Sequence, residues 1–200
     1  MQAGSHGSSQ TDQPLAFLTV ACYFLRLAEG ACDLLARNAN RLTVVSSSPI
    51  TPASYSRSTR WSDHSVGVAI LFNYFHGIEL LLKGFLAISG TPPGHHKLSQ
   101  LLADFDKSFS TTDLGATLAR VVCNTGLQSP LGQFFSANSI NIDSWYEALK
   151  YPTSKKGKPF SHAKLKYGGH DTVKFWKSVG RSAASLRKQS VALARSLGHA

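Results

Sequence analysis

Val66-Gly-Val-Ala-Ile-Leu-Phe-Asn-Tyr-Phe-His-Gly-Ile-Glu-Leu-Leu-Leu-Lys-Gly-Phe-Leu-Ala-Ile88 is the stretch that decides the fold. Within it Val68, Leu71, Phe75, Ile78, Leu82 and Phe85 recur at steps of three and four, the period of a helix with one apolar face. Ser62 or Asp63 is placed to cap its start, and Gly90-Thr-Pro-Pro-Gly94 stops it. Asn73, His76, Glu79 and Lys83 interrupt the apolar run. A lipid-exposed helix would bear a large cost for those groups, so the segment reads as the spine of a water-soluble bundle. Glu79 and Lys83 are an i,i+4 pair on the side opposite the apolar face, worth about 0.3 kcal/mol there. His76, Asn73 and Glu79 share a helix side as a polar stripe, with proton handling as the chemical alternative.

Working outward toward the N-terminus, Asp12 followed by Pro14 marks a helix start. Leu15, Leu18, Cys22, Leu25, Cys32 and Leu35 then keep helical spacing, with Ala28 in the middle, and the helix ends near Asn38–Asn40. Residues 1–11 are expected to be a disordered tail. They lack the positive region of a signal peptide. Residues 44–60 are rich in Ser, Thr and Pro without a period and read as a long loop. Downstream, Leu98, Leu101, Leu102 and Phe105 mark a short helix, and Leu114, Leu118, Val121 and Val122 a weaker one from about Thr112 to Cys123. A turn is expected over Gly126 to Gly132, and one or two helical turns over 131–149. A basic loop follows over 151–170. From Asp171, a cap, the helical period returns through Val173, Trp176, Val179, Ala183, Leu186, Leu193 and Leu197. The expected fold is one all-α, up-and-down helical bundle over residues 12–198, with two long N-terminal helices, short middle ones and a long C-terminal one.

Composition narrows the class. Eleven Phe, three Trp and six Tyr in 200 residues exclude a chain that stays solvated throughout. The 21 Lys and Arg against 11 Asp and Glu give a net charge of +10, and it is unevenly placed. Residues 1–149 hold nine basic and ten acidic side chains, whereas residues 150–200 hold twelve basic ones and only Asp171. Three widely spaced cysteines, Cys22, Cys32 and Cys123, suit neither a disulfide framework nor a zinc knuckle. Each is expected as a buried structural thiol, and the cytoplasm is the expected compartment.

Among chemical motifs, the basic segment carries most. Lys150, Lys155, Lys156, Lys158, Lys164 and Lys166 are interleaved with Tyr151, Phe160 and Tyr167. Lysines neutralise phosphates and aromatic rings offer stacking faces to unpaired bases, so the pattern fits RNA or another polyanion; its bland reading is a solvated face. His95-His96 lacks a third ligand at metal-site spacing. Tyr167-Gly168-Gly169-His170 is at most an anion-binding turn. No phosphate loop followed by Lys-Ser/Thr is present, and no cofactor or metal is implied.

Gly77-Ile-Glu-Leu-Leu-Leu-Lys-Gly-Phe-Leu86, Gly94-His-His-Lys-Leu-Ser-Gln-Leu-Leu102 and Trp145-Tyr-Glu-Ala-Leu-Lys-Tyr-Pro152, in this order, resemble the HEPN superfamily of nucleotide-binding helical bundles. The resemblance spans about residues 12–195, and it implies that the His pair His95-His96 helps to cap the start of the short helix. It implies a bundle that is frequently a homodimer and is either a metal-independent endoribonuclease with an Arg-x4–6-His motif or a non-catalytic partner of RNA or of a nucleotidyltransferase. Arg57 and His64 meet that spacing, but Arg57 lies in the loop before the second long helix, whereas the motif belongs late in the bundle. With nine Arg and eight His in the chain, one such pair is expected by chance. Their bland reading is a loop Arg and a helix-start His. The function expected is therefore binding of RNA or a similar phosphate-rich partner, without catalysis and without a membrane. A degenerate toxin- or defence-type endoribonuclease using Arg57 and His64, and a protein-protein module facing a nucleotidyltransferase, are the alternatives.

Overall fold

A computed structural model describes residues 12–109, 111–123, 126, 129–166 and 170–199, with the side chains of residues 12, 170 and 171 set aside. The tail 1–11, the capping carboxylates expected of Asp12 and Asp171, and the turn at Tyr167-Gly168-Gly169 lie outside the described residues.

The chain is an all-α bundle. Its helices are α1 (Asp12–Arg37), α2 (Pro52–Thr59), α3 (Asp63–Ser89), α4 (Leu98–Phe109), α5 (Asp113–Cys123), α6 (Pro130–Asn138), α7 (Trp145–Lys150) and α8 (His170–Ser196), with 3₁₀ turns at Ile142–Ser144 and His162–Leu165. Among the described residues the only bridge of β type is the isolated pair Thr153 and Pro159.

Three long helices form the frame, and small residues set how closely they approach. A Cβ on Gly77 would stand 2.8 Å from Leu25 Cγ, and one on Gly84 would stand 2.7 Å from Leu18 Cδ2. As residue numbers rise along α3 they fall along α1, so the two run antiparallel. A Cβ on Gly180 of α8 would stand 3.0 Å from Cys32 Cβ of α1, and one on Gly67 of α3 would stand 3.0 Å from Trp176 Cζ2 of α8. Helix α8 is thus antiparallel to α1 and parallel to α3. Of the five short helices, four lie in the chain between α3 and α8, with α4 on α3, α5 on α8 and α7 on α3. One contiguous core joins all of these, with Trp145, Trp176, Phe75, Phe85, Phe105 and Phe134 fully enclosed.

Asn40 ties three helices together. It ends the left-handed turn after α1 (φ 46°) and its amide N–H bonds back to Leu35 O. Its side-chain oxygen accepts the Asp63 N–H at 2.7 Å, and its Nδ2 donates to Asp63 Oδ2 and Thr172 Oγ1, each at 2.7 Å. The start of α3 is therefore capped from α1. Ser62 occupies the cap position without a side-chain cap bond.

Several sequence expectations are corrected. Residues 52–59, expected as loop, form α2: Thr51 accepts the Ser54 N–H and Pro52 takes the first helical position. Only Thr59 of α2 is buried, so no apolar period betrays it. The turn expected over 126–132 is cut short by α6, whose cap Ser129 accepts the Gly132 N–H. Leu15 is exposed and Ala21 takes the core position expected of Cys22, which is half-buried; Leu197 is also exposed. Glu79 and Lys83 are not on a wet face but are buried. Cys32 is enclosed, and burial pushes its thiol up to about 12, whereas Cys123 is exposed.

Candidate functional site

Residues from the three segments quoted above meet in space. Helix α3 places Glu79 and Lys83 one turn apart on its flank toward α4 and α7, where Glu79 is 1% exposed. An unpaired carboxylate at that depth would cost several kcal/mol. Three basic groups surround it instead. Lys83 Nζ stands 2.7 Å and His96 Nδ1 2.9 Å from Glu79 Oε1, and His76 Nδ1 stands 3.5 Å from Oε2. Burial alone would raise the Glu79 pKa. The contact with His76, the hydrogen bond from Lys83 and the charges of Lys83 and His96 overcome this and hold it at about 2.

From His96 the cluster leads outward. The His96 carbonyl accepts Trp145 Nε1–H at 2.9 Å, which locks the segment before α4 onto α7. The His96 ring lies flat on Tyr146, with centroids 4.0 Å apart and planes 7° from parallel. Lys150 Nζ donates to Tyr146 Oη at 2.7 Å and sits over the rings of Tyr146 and Tyr151, 4.7 and 5.3 Å from their centroids. Hydrogen bonding to the two tyrosines raises the Lys150 pKa, so its exposed ammonium is charged. A buried anion, a ring stack and an exposed cation thus form one continuous chain.

The segment after Lys150, expected as a basic loop, folds back on itself as a short hairpin-shaped loop. Thr153 pairs with Pro159, Lys158 O accepts the Ser154 N–H at 2.8 Å, and Ser154 O accepts the Gly157 N–H at 2.8 Å. Gly157 takes φ 75°, a conformation that a side chain strains. Glu147 of α7 accepts the Lys155 N–H at 2.5 Å and so fastens the hairpin to the helix before it. Its far end is fastened too. Buried Asn138 accepts the Ser161 N–H, His162 Nε2 donates to Ala148 O at 2.6 Å while stacking on Phe134, and Leu165 is enclosed. Lys155, Lys156 and Lys158 stand exposed at the tip, and Lys164 is exposed further along; Lys166 is half-buried. Among the described residues no carboxylate pairs with any of these side chains.

The remaining candidates fall elsewhere. Arg57 is in the last turn of α2 and His64 in the first turn of α3, both exposed. His95 Nδ1 accepts the Lys97 N–H at 3.3 Å, a local turn contact just before α4. The cap of α4 itself comes from Asp143, whose carboxylate accepts the N–H and the hydroxyl of Ser99 at 2.8 and 2.5 Å. His96 serves Glu79, so the capping role expected of the His pair passes mainly to Asp143. Asn73 donates to Ala69 O rather than joining His76 and Glu79.

Fold and site together define a helical bundle that presents a fixed cationic hairpin beside stacked aromatic rings. Comparison with protein-family models, with curated proteins and with solved structures finds no match to this chain.

Proposed function

We propose that this chain is a HEPN-like bundle that binds single-stranded RNA through the hairpin at 152–160 and the end of α7. The observation that supports this most is the pinned hairpin tip. Three lysines within four residues stand on a turn fixed by Gly157 and by the bond from the Lys155 N–H to Glu147, and among the described residues none of their ammonium groups pairs with a carboxylate. A backbone fixed in place loses little freedom when phosphates arrive, whereas a mobile loop loses much more. Lys155, Lys156 and Lys158 are the phosphate contacts in this reading. Lys150 adds a fourth cation, and Tyr151, 47% exposed, offers a stacking face for a base.

Binding of a labelled single-stranded RNA, followed over a series of salt concentrations, tests the reading. Engagement of four to six phosphates gives a log–log slope of roughly −3 to −5. The triple variant Lys155→Glu/Lys156→Glu/Lys158→Glu, altered only at exposed positions, keeps the helical circular dichroism and loses binding. Absence of binding at low salt, or a triple variant that binds as the parent does, refutes it.

A further inference from the structure

Helices α3, α5, α6 and α8 leave a cleft of about 670 Å³ between them, a volume in the range of small-molecule sites. Its apolar walls come from Leu71 and Phe75 of α3, Leu131 of α6, and Phe175 and Val179 of α8. Leu71 and Phe75 are fully enclosed, so the cleft reaches down to the core. Tyr74, itself buried, shares a 2.7 Å hydrogen bond between its hydroxyl and that of Ser182, which joins α3 to α8 at this place. Arg120 of α5 and Arg181 of α8 line the same space, and both are exposed. Arg181 Nε donates to Lys177 O at 3.3 Å, and among the described residues neither guanidinium pairs with a carboxylate. Among the described residues no Asp or Glu lines the cleft. An apolar cavity is thus joined to a rim that carries two cations.

We propose that this cleft binds an organic carboxylate with an apolar body, of the size of a medium-chain fatty acid. The hydrocarbon lies along Leu71, Phe75 and Phe175, where each methylene that leaves water tightens binding. The carboxylate stays at the rim, where Arg120 and Arg181 hold it through charge-assisted hydrogen bonds. A planar guanidinium matches the two oxygens of a carboxylate as a fork, which an ammonium does not. Apolar walls reward a hydrocarbon chain, whereas the polar edge of a nucleobase placed there would lose its bonds to water. None of Lys150, Lys155, Lys156 and Lys158 lines the cleft, so the site is separate from the basic hairpin and its test does not depend on RNA binding.

Isothermal titration calorimetry of the full chain with octanoate, decanoate and dodecanoate, each below its micelle concentration, gives saturable binding. Affinity rises by up to about fourfold per added methylene. Decan-1-ol, which keeps the chain and lacks the charge, binds at least about tenfold more weakly than decanoate. The double variant Arg120→Gln/Arg181→Gln, altered only at exposed positions, binds decanoate no better than decan-1-ol. Ser178 is exposed and lines the cleft, so Ser178→Trp fills the cavity and abolishes binding while the helical circular dichroism is kept. Absence of decanoate binding overturns the proposal, as does decan-1-ol that binds as tightly as decanoate. Binding that survives the arginine double variant or Ser178→Trp undiminished places the ligand elsewhere and overturns it too. So does tighter binding of adenosine monophosphate than of decanoate.

Discussion

Glu79 gathers three basic groups because a charge inside a helical core is costly unless opposite charges neutralise it. Its pKa of about 2 lies below its ordinary 4.5. The ionised carboxylate therefore stabilises the fold fully above about pH 4.5, and this contribution is lost as pH falls through 2. The shift corresponds to roughly 3 kcal/mol. Glu79→Gln should lower the free energy of unfolding in urea by about that much at pH 7, because Lys83 is then buried without its counter-charge. The variant should also show a flatter stability profile between pH 4.5 and 2. Equal stability of the two proteins at pH 7 would contradict this account of the cluster. The pair itself was visible in the sequence as Glu79 and Lys83 at i,i+4, but its setting was not. Burial of a polar residue on α3 depends on what lies over it, and the cover comes from His96 and Tyr146, 17 and 67 positions away along the chain.

Helices with an apolar stripe were legible and helices without one were not. The stripes of α3 and α8 follow the period read from residues 68–85 and 173–193, because packing selects the period that the residues display. Helix α2 escaped because it buries only Thr59, and its one local signal is the Thr51-Pro52 start. The hairpin escaped for a related reason. Its lysines were plain from composition, but it is held by Glu147, Asn138 and Gly157, none of which belongs to a period. Two substitutions test these elements. Gly157→Ala leaves the charge unchanged and meets no neighbour, yet forces a side chain to φ 75°. It should cost about 1 kcal/mol locally and weaken RNA binding several-fold in the assay described above. Gly77→Val drives branched carbons into Leu25 and toward Ala21 O, and should lower stability by about 2 kcal/mol in urea. An unchanged midpoint for Gly77→Val would mean that α1 and α3 do not approach as described.

At the scale of the whole molecule, the core is one body, so unfolding should be one event. Trp145 on α7 and Trp176 on α8 are both fully enclosed and report on different parts of it. Urea transitions followed by tryptophan fluorescence and by far-ultraviolet circular dichroism should superimpose; an early fluorescence phase would reveal a separately melting α6–α7 region. The molecule is also divided electrically. Its cationic quarter begins at Lys150 and contributes the exposed lysines of the hairpin, while the nearly neutral remainder supplies most of the frame. Within that frame, Asn40 holds the end of α1, the start of α3 and Thr172 of α8 in one knot. Everything between Arg41 and Ser62 is consequently an excursion that leaves the bundle and returns to a point already secured. A protease that nicks the exposed residues 46–50 should yield two fragments that stay together as one folded particle, separating only under denaturing conditions.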